Sequence, residues 1–125
     1  MAVATKTHLA HGGRMEIIKL AGFLASGDVS DPINLALYSE ISIHALGSFT
    51  GALSLQVQGS NEFDQNGAGI TSWIPLRDSN ETVIAFLAAD LVVVLESPVW
   101  MRILATAGAG GGNASVYIKG LRRAD

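Results

Sequence analysis

The chain has 125 residues, of which 49% are hydrophobic and 15% charged, with a formal net charge of −3. So few charges beside so much apolar material exclude intrinsic disorder and require burial in a core or against neighbouring subunits. No run approaches the roughly 20 apolar residues of a membrane-spanning helix, since the longest, residues 83–95, is broken by Asp90. The acidic balance argues against a dedicated nucleic-acid binder, and the absence of Cys removes disulfides and thiol chemistry.

The opening, MAVATKTHLAHGG, has neither a basic n-region nor an apolar h-region, so no secretory signal is expected there. Residues 1–14 show no sustained periodicity and read as a flexible N-terminal arm carrying Lys6, His8, His11 and Arg14. A first strand is expected over 15–20 and a second over 33–37, separated by a loop from Gly22 to Pro32. Ile41 and Ile43 then alternate with Ser42 and His44, and Leu53, Leu55 and Val57 alternate with Ser54, Gln56 and Gln58. That period of two marks strands with one buried face. Residues 80–89 are dense enough in apolar residues for a helix, but β-branched Thr82, Val83 and Ile84 favour a strand over 82–86. Further strands follow over 91–95 and 100–105, and Val116 and Ile118 alternate with Ser115, Tyr117 and Lys119. The count comes to about eight strands. The fold class is therefore all-β, an antiparallel two-sheet sandwich of jelly-roll or immunoglobulin-like topology. Its expected organisation is an arm at 1–14, a sandwich domain at 15–120 and a basic tail at 121–125.

Chemistry is harder to find than architecture. Only three His are present, and zinc sites draw about four N or S ligands, so His8 and His11 read as solvated arm residues and His44 as a surface or interface residue. The run Gly108-Ala109-Gly110-Gly111-Gly112-Asn113 lacks the Lys-Ser/Thr of a phosphate loop and opens a strand, which makes it a mobile hairpin loop. Asp28, Asp31, Asp64 and Asp78 fall in loops without the EF-hand register and read as turn formers, with calcium as the less favoured role. Lys6, Arg14, Lys19, Arg102, Lys119, Arg122 and Arg123 are scattered and make no nucleic-acid track. No base–nucleophile pair stands out, so no enzymatic activity and no cofactor are expected.

The stretch Leu53-Ser-Leu-Gln-Val-Gln-Gly-Ser-Asn61, an acidic glycine-containing loop, and then Trp73-Ile-Pro-Leu76 resembles a pattern in small β-sandwich structural proteins of tailed bacteriophages. Trp100-Met-Arg-Ile103, the glycine-rich hairpin and Val116-Tyr-Ile-Lys119 continue the likeness, which covers roughly residues 33 to 120. Compared with the compact version of that pattern, the loop over 62–72 is longer. The resemblance implies a virion component, above all a head decoration (cement) protein on the outer capsid surface, assembled in the host cytoplasm. A neck, tail or fibre-associated subunit is its nearest alternative.

The implied partners are the major capsid protein and further copies of the chain, a trimer being favoured, with no nucleic acid and no membrane. Lys6, His8, His11 and Arg14 of the arm and Gly110, Gly111, Gly112 and Asn113 of the loop are the expected interface residues. Similar strand-loop-Trp patterns occur in carbohydrate-binding sandwiches. That alternative expects an exposed aromatic platform of Trp73 with Tyr38 or Phe63, beside the polar loop from Asn61 to Asn66.

Overall fold

Period-two alternation commits one side of each long strand to a core. Ile18 and Leu20, Ile41, Ile43 and Ala45, Leu53, Leu55 and Val57, Ile103 and Ala105, and Val116 and Ile118 are all buried as that pattern requires. The computed structural model describes residues 3–12, 15–62, 64–96 and 98–122. Among the described residues there are eleven strands and no helix. They are β1 (Val3–Gly12), β2 (Met15–Phe23), β3 (Val29–Ser30), β4 (Ile33–Asn34), β5 (Tyr38–Ser48), β6 (Ser54–Ser60), β7 (Ile74–Pro75), β8 (Ala85–Phe86), β9 (Asp90–Val93), β10 (Trp100–Ala107) and β11 (Asn113–Arg122).

The strands form two layers. A front sheet contains β7 and β8 on one edge of β6, then β10, then the short β3 and β4. A back sheet runs β1-β2-β11-β5-β9, antiparallel throughout. The layers are joined along one side by β1, whose Val3 and Ala4 pair in parallel with Val29 and Ser30 of β3. On the other side the segment 74–78 bridges them: Leu76 N–H donates to Val57 O at 2.8 Å, and Leu95 N–H donates to Arg77 O at 2.8 Å. The result is a sandwich flattened from a nearly closed barrel, with few free strand edges. Phe23, Leu20, Ile43 and Val116 from the back sheet meet Leu55, Val57, Met101 and Ile103 from the front sheet, all with their side chains withdrawn from solvent.

The all-β expectation therefore stands, and the differences are local. Residues 3–12 are not an unpaired arm: Thr5 pairs with Ala21, Thr7 with Lys19 and Gly12 with Met15 along the edge of β2. The register slips between His8 and Ala10; a bulge of this kind breaks the alternation by which a strand is recognised. Without β1, the edge of β2 would present a row of unpaired N–H and C=O groups. The strand expected over 33–37 stops after Asn34, because the Asn34 Oδ1 accepts the Ala36 N–H at 2.9 Å and Tyr38 N–H turns back to Leu35 O at 3.0 Å. The strand expected over 82–86 shrinks to Ala85 and Phe86 behind an Asp78 turn, whose Oδ1 accepts the N–H groups of Asn80 and Thr82 at 2.8 and 3.1 Å. Residues 121–122 belong to β11, and 123–125 of the expected tail lie outside the described residues.

Two polar side chains do structural work inside this frame. Asp28 is buried at 6% exposure, and its Oδ2 accepts the N–H groups of Leu24 and Ala25 at 2.8 and 3.0 Å, closing the turn between β2 and β3. The Ser30 hydroxyl accepts the Ile103 N–H at 2.9 Å, supplying β10 with an acceptor where β3 is too short to offer a full ladder.

Candidate functional site

A barrel of this size can enclose a small ligand, but here the interior is filled with Leu, Ile, Val, Phe and Met. The buried polar or charged residues, Asp28, Ser30, Gln58 and Ser60, are too few and too dispersed along the chain to build a ligand shell. Among the described residues no group of three or more His, Asp or Glu is placed to hold a metal ion. The candidate sites are therefore the outer faces of the two sheets.

The back face is mixed, with an apolar edge at β9 and polar groups across its middle. Residues 90–95 form an almost unbroken apolar run, and the register decides which side chains go out. Ile43 pairs with Val92 in the buried phase, so Leu91, Val93 and Leu95 point outward at 63%, 51% and 45% exposure. Leu91 continues a row that crosses the sheet through His44 and Tyr117 to Lys19. In that row the Lys19 Nζ lies 5.5 Å above the Tyr117 ring, whose centroid is 6.5 Å from that of His44. The adjacent row is Val93, Ser42, Lys119 and Ile17. Two shallow depressions of about 310 and 320 Å³ lie along these rows, the first between Ile17, His44, Leu91 and Tyr117, the second between Glu40, Val93 and Leu121.

The front face is polar and internally bonded. Arg102 of β10 pairs with Gln58 of β6, and its Nε donates to the Gln58 Oε1 at 2.7 Å. Gln58 Nε2 in turn donates to the Gln56 Oε1 at 2.8 Å. The Arg102 guanidinium is held over the Trp73 ring at 4.5 Å. Burial pulls the Arg102 pKa below its ordinary value, yet a guanidinium keeps its charge at any physiological pH. Arg77, by contrast, sits in an exposed pair with Glu96, Nε to Oε2 at 2.6 Å.

The residues expected at the interface fall into separate places. Lys6 is exposed on β1 opposite Leu20, and His8 and His11 occupy register positions opposite Ile18 and Glu16. Arg14 lies outside the described residues. The glycine loop is anchored at its start and end: Ser26 N–H donates to Gly108 O at 3.1 Å, Ala109 N–H donates to Gly51 O at 3.0 Å, and Gly112 is buried. Gly51 has φ +78°, and a Cβ there would collide with the Gly110 carbonyl, so the loop and the 50–53 turn require that close approach. Asn113 pairs with Ser48 at one end of the back sheet, whereas Gly12 and Met15 lie level with Leu121 at the other. Those ends are about 26 Å apart along β11, so arm and loop do not form one patch. Trp73 and Tyr38 are also separated, the first stacked on the front sheet and the second opening β5 of the back sheet, while Phe63 lies outside the described residues.

Alternation in the sequence puts Ser42, His44, Gln56 and Gln58 in the outward phase but does not show which strands assemble into either face. The run 90–95 is apolar in both phases, so alternation cannot say which residues face out. Arg102 reads as one scattered charge until β6 and β10 are paired.

No family model matches the chain, and no curated protein matches its sequence. Solved structures do resemble it. One is the SPBc2 prophage-derived protein YomS, at 11% identity and a TM-score of 0.55, over 97% of this chain and 96% of that one. Another is an uncharacterized conserved protein with a double-stranded β-helix domain from Klebsiella pneumoniae, at 10% identity and a TM-score of 0.50, over 98% of this chain and 75% of that one. These likenesses establish the class: an all-β, two-layer domain of the double-stranded β-helix and β-sandwich kind.

Proposed function

We propose that the chain is a non-enzymatic structural protein of a phage virion, a head decoration subunit that binds the major capsid protein on the outer shell surface. The observation that carries this reading is the outward strip of Leu91 and Val93 on β9, with Leu95 just beyond it, at the edge of a continuous five-stranded sheet and bordered by His44 and Ser42. Contiguous apolar surface rimmed by polar groups is a protein-docking surface, because its exposure to water is unfavourable until a partner covers it. End-to-end overlap with a prophage-derived protein supports a phage origin. A trimer is the oligomer proposed, since lattice attachment gains from several simultaneous contacts. The carbohydrate-binding alternative has less support: Arg102 covers the Trp73 ring, and Tyr38 belongs to the other sheet.

The test is co-sedimentation with capsids and with intact virions from one source, using the wild type and a Leu91→Glu/Val93→Lys variant. The proposal expects binding in fixed proportion to the shell protein, lost in the variant. A small fixed copy number on intact virions alone would replace the head assignment by a neck or tail one. No binding to either particle would overturn the virion reading. Sedimentation velocity on the same sample checks the trimer.

A further inference from the structure

The front face carries a second feature, independent of the apolar edge of the back face. The hydrogen-bond chain across β6 and β10 has a fixed polarity. An arginine Nε can only donate, so Gln58 must present its oxygen to Arg102 and its amide nitrogen to Gln56. Gln56 thereby spends its oxygen, and both ends of the chain are left as donors: the Gln56 Nε2 and the Arg102 Nη groups. Among the described residues Arg102 has no carboxylate partner within ion-pair distance. The chain is acidic overall, and Arg77, in the segment that bridges the layers, is neutralised by Glu96. Arg102 is also immobilised, its face on Trp73 and one edge on Gln58, so little side-chain entropy is left to lose on binding.

We infer that Arg102, fixed by Trp73 and Gln58 with Gln56 beside it, is a preorganised receptor for a carboxylate side chain, Asp or Glu, of a docking polypeptide. A fork of N–H donors matches the two oxygens of a carboxylate, and a partly desolvated cation strengthens that bond. Partial burial of the guanidinium, which disfavours its unpaired charge, agrees with this. An acidic sugar could offer the same group, but Arg102 already occupies the Trp73 face on which a sugar ring would stack. The occupant favoured is therefore a protein.

The experiment is an NMR titration of the full chain, following the Arg102 Nε–Hε and Trp73 indole signals. The probes are N-acetyl-Gly-Asp-Gly-amide, its Asn counterpart and glucuronate. The expected result is a saturable shift with the Asp peptide alone. Arg102→Lys keeps the charge but not the fork and should weaken binding about tenfold. Arg102→Gln should abolish it, while Lys119→Gln on the back face should leave it unchanged. Backbone amide dispersion verifies that each variant is folded. Equal shifts with the Asn peptide, no saturation with the Asp peptide, or saturation with glucuronate alone would each overturn the assignment. Because no shell is present in the titration, its outcome is separate from that of the co-sedimentation test.

Discussion

The two outer faces of one sandwich solve opposite problems. On the front, polar side chains are held by neighbours, Arg102 by Gln58 and Trp73 and Gln58 by Gln56, with only the Arg102 Nη groups and the Gln56 Nε2 left to bind outward. On the back, Leu91 and Val93 stand outward on an edge strand, and Leu95 is exposed just beyond it. The front face offers a single oriented group and gains its selectivity from geometry. The back face offers area, from which adhesion comes through exclusion of water. Both depend on one core, and the most disruptive changes are those that fail to distinguish the faces.

Ile43 and Ile103 lie on opposite layers of that core and are both fully buried. Truncating either to Ala should cost about 2–5 kcal/mol in urea unfolding, through lost burial and a cavity, and both faces should lose their partners together. Should Ile43→Ala cost under about 1 kcal/mol while Ile103→Ala costs several, the layers would not be sharing a core as described. Asp28→Ala comes next. It leaves the N–H groups of Leu24 and Ala25 without their acceptor in a part-buried turn, at a cost of about 1–3 kcal/mol.

The Leu91→Glu/Val93→Lys pair should have a much smaller effect on stability. Both residues point into solvent, so urea unfolding should move by no more than about 0.5 kcal/mol per site, while shell attachment is lost and the Arg102 titration is untouched. Loss of both functions in this variant would dissolve the distinction between the faces.

How much of this was legible beforehand follows from what alternation encodes. Strands such as 53–58 and 115–119 announce their buried face because polar and apolar residues take turns. The same rule fails where a pattern is uniform, as in 91–95, or interrupted, as at the β1 bulge between His8 and Ala10. Those two failures fell on the back-face strip and on the N-terminal strand, which reads as an arm. The front anchor was invisible for another reason. Gln58 and Arg102 are 44 positions apart, and nothing local signals that one will bond the other. The glycine run from Gly108 to Gly112 shows a third limit: composition does not reveal that its small residues permit close backbone packing against Gly51.

The smallest expected effect separates the faces by pH. The loop between β6 and Trp73 is closed by Glu62, whose carboxylate accepts the N–H groups of Thr71 and Ser72 at 2.8 and 2.5 Å and the Thr71 hydroxyl at 3.0 Å. The hydrogen bond from the Ser72 N–H is the main cause that holds the Glu62 pKa below its ordinary value of 4.5, against a smaller opposing effect of burial. A depressed folded-state pKa means that the carboxylate form is favoured by folding. Its contribution is complete above 4.5 and is lost as the pH falls through the lower folded value. Glu96 shifts in the same direction, burial raising its pKa but hydrogen bonds from Arg77 outweighing it. Glu62→Gln is therefore the variant that isolates the loop. As the pH falls from neutrality through the lowered folded-state value, the Trp73 indole signal should titrate in the wild type and lose that transition in Glu62→Gln. The Tyr117 ring on the back face should not follow it. A Tyr117 response with the same midpoint would mean that the loop is coupled through the core to the docking strip, and the two faces would then act as one.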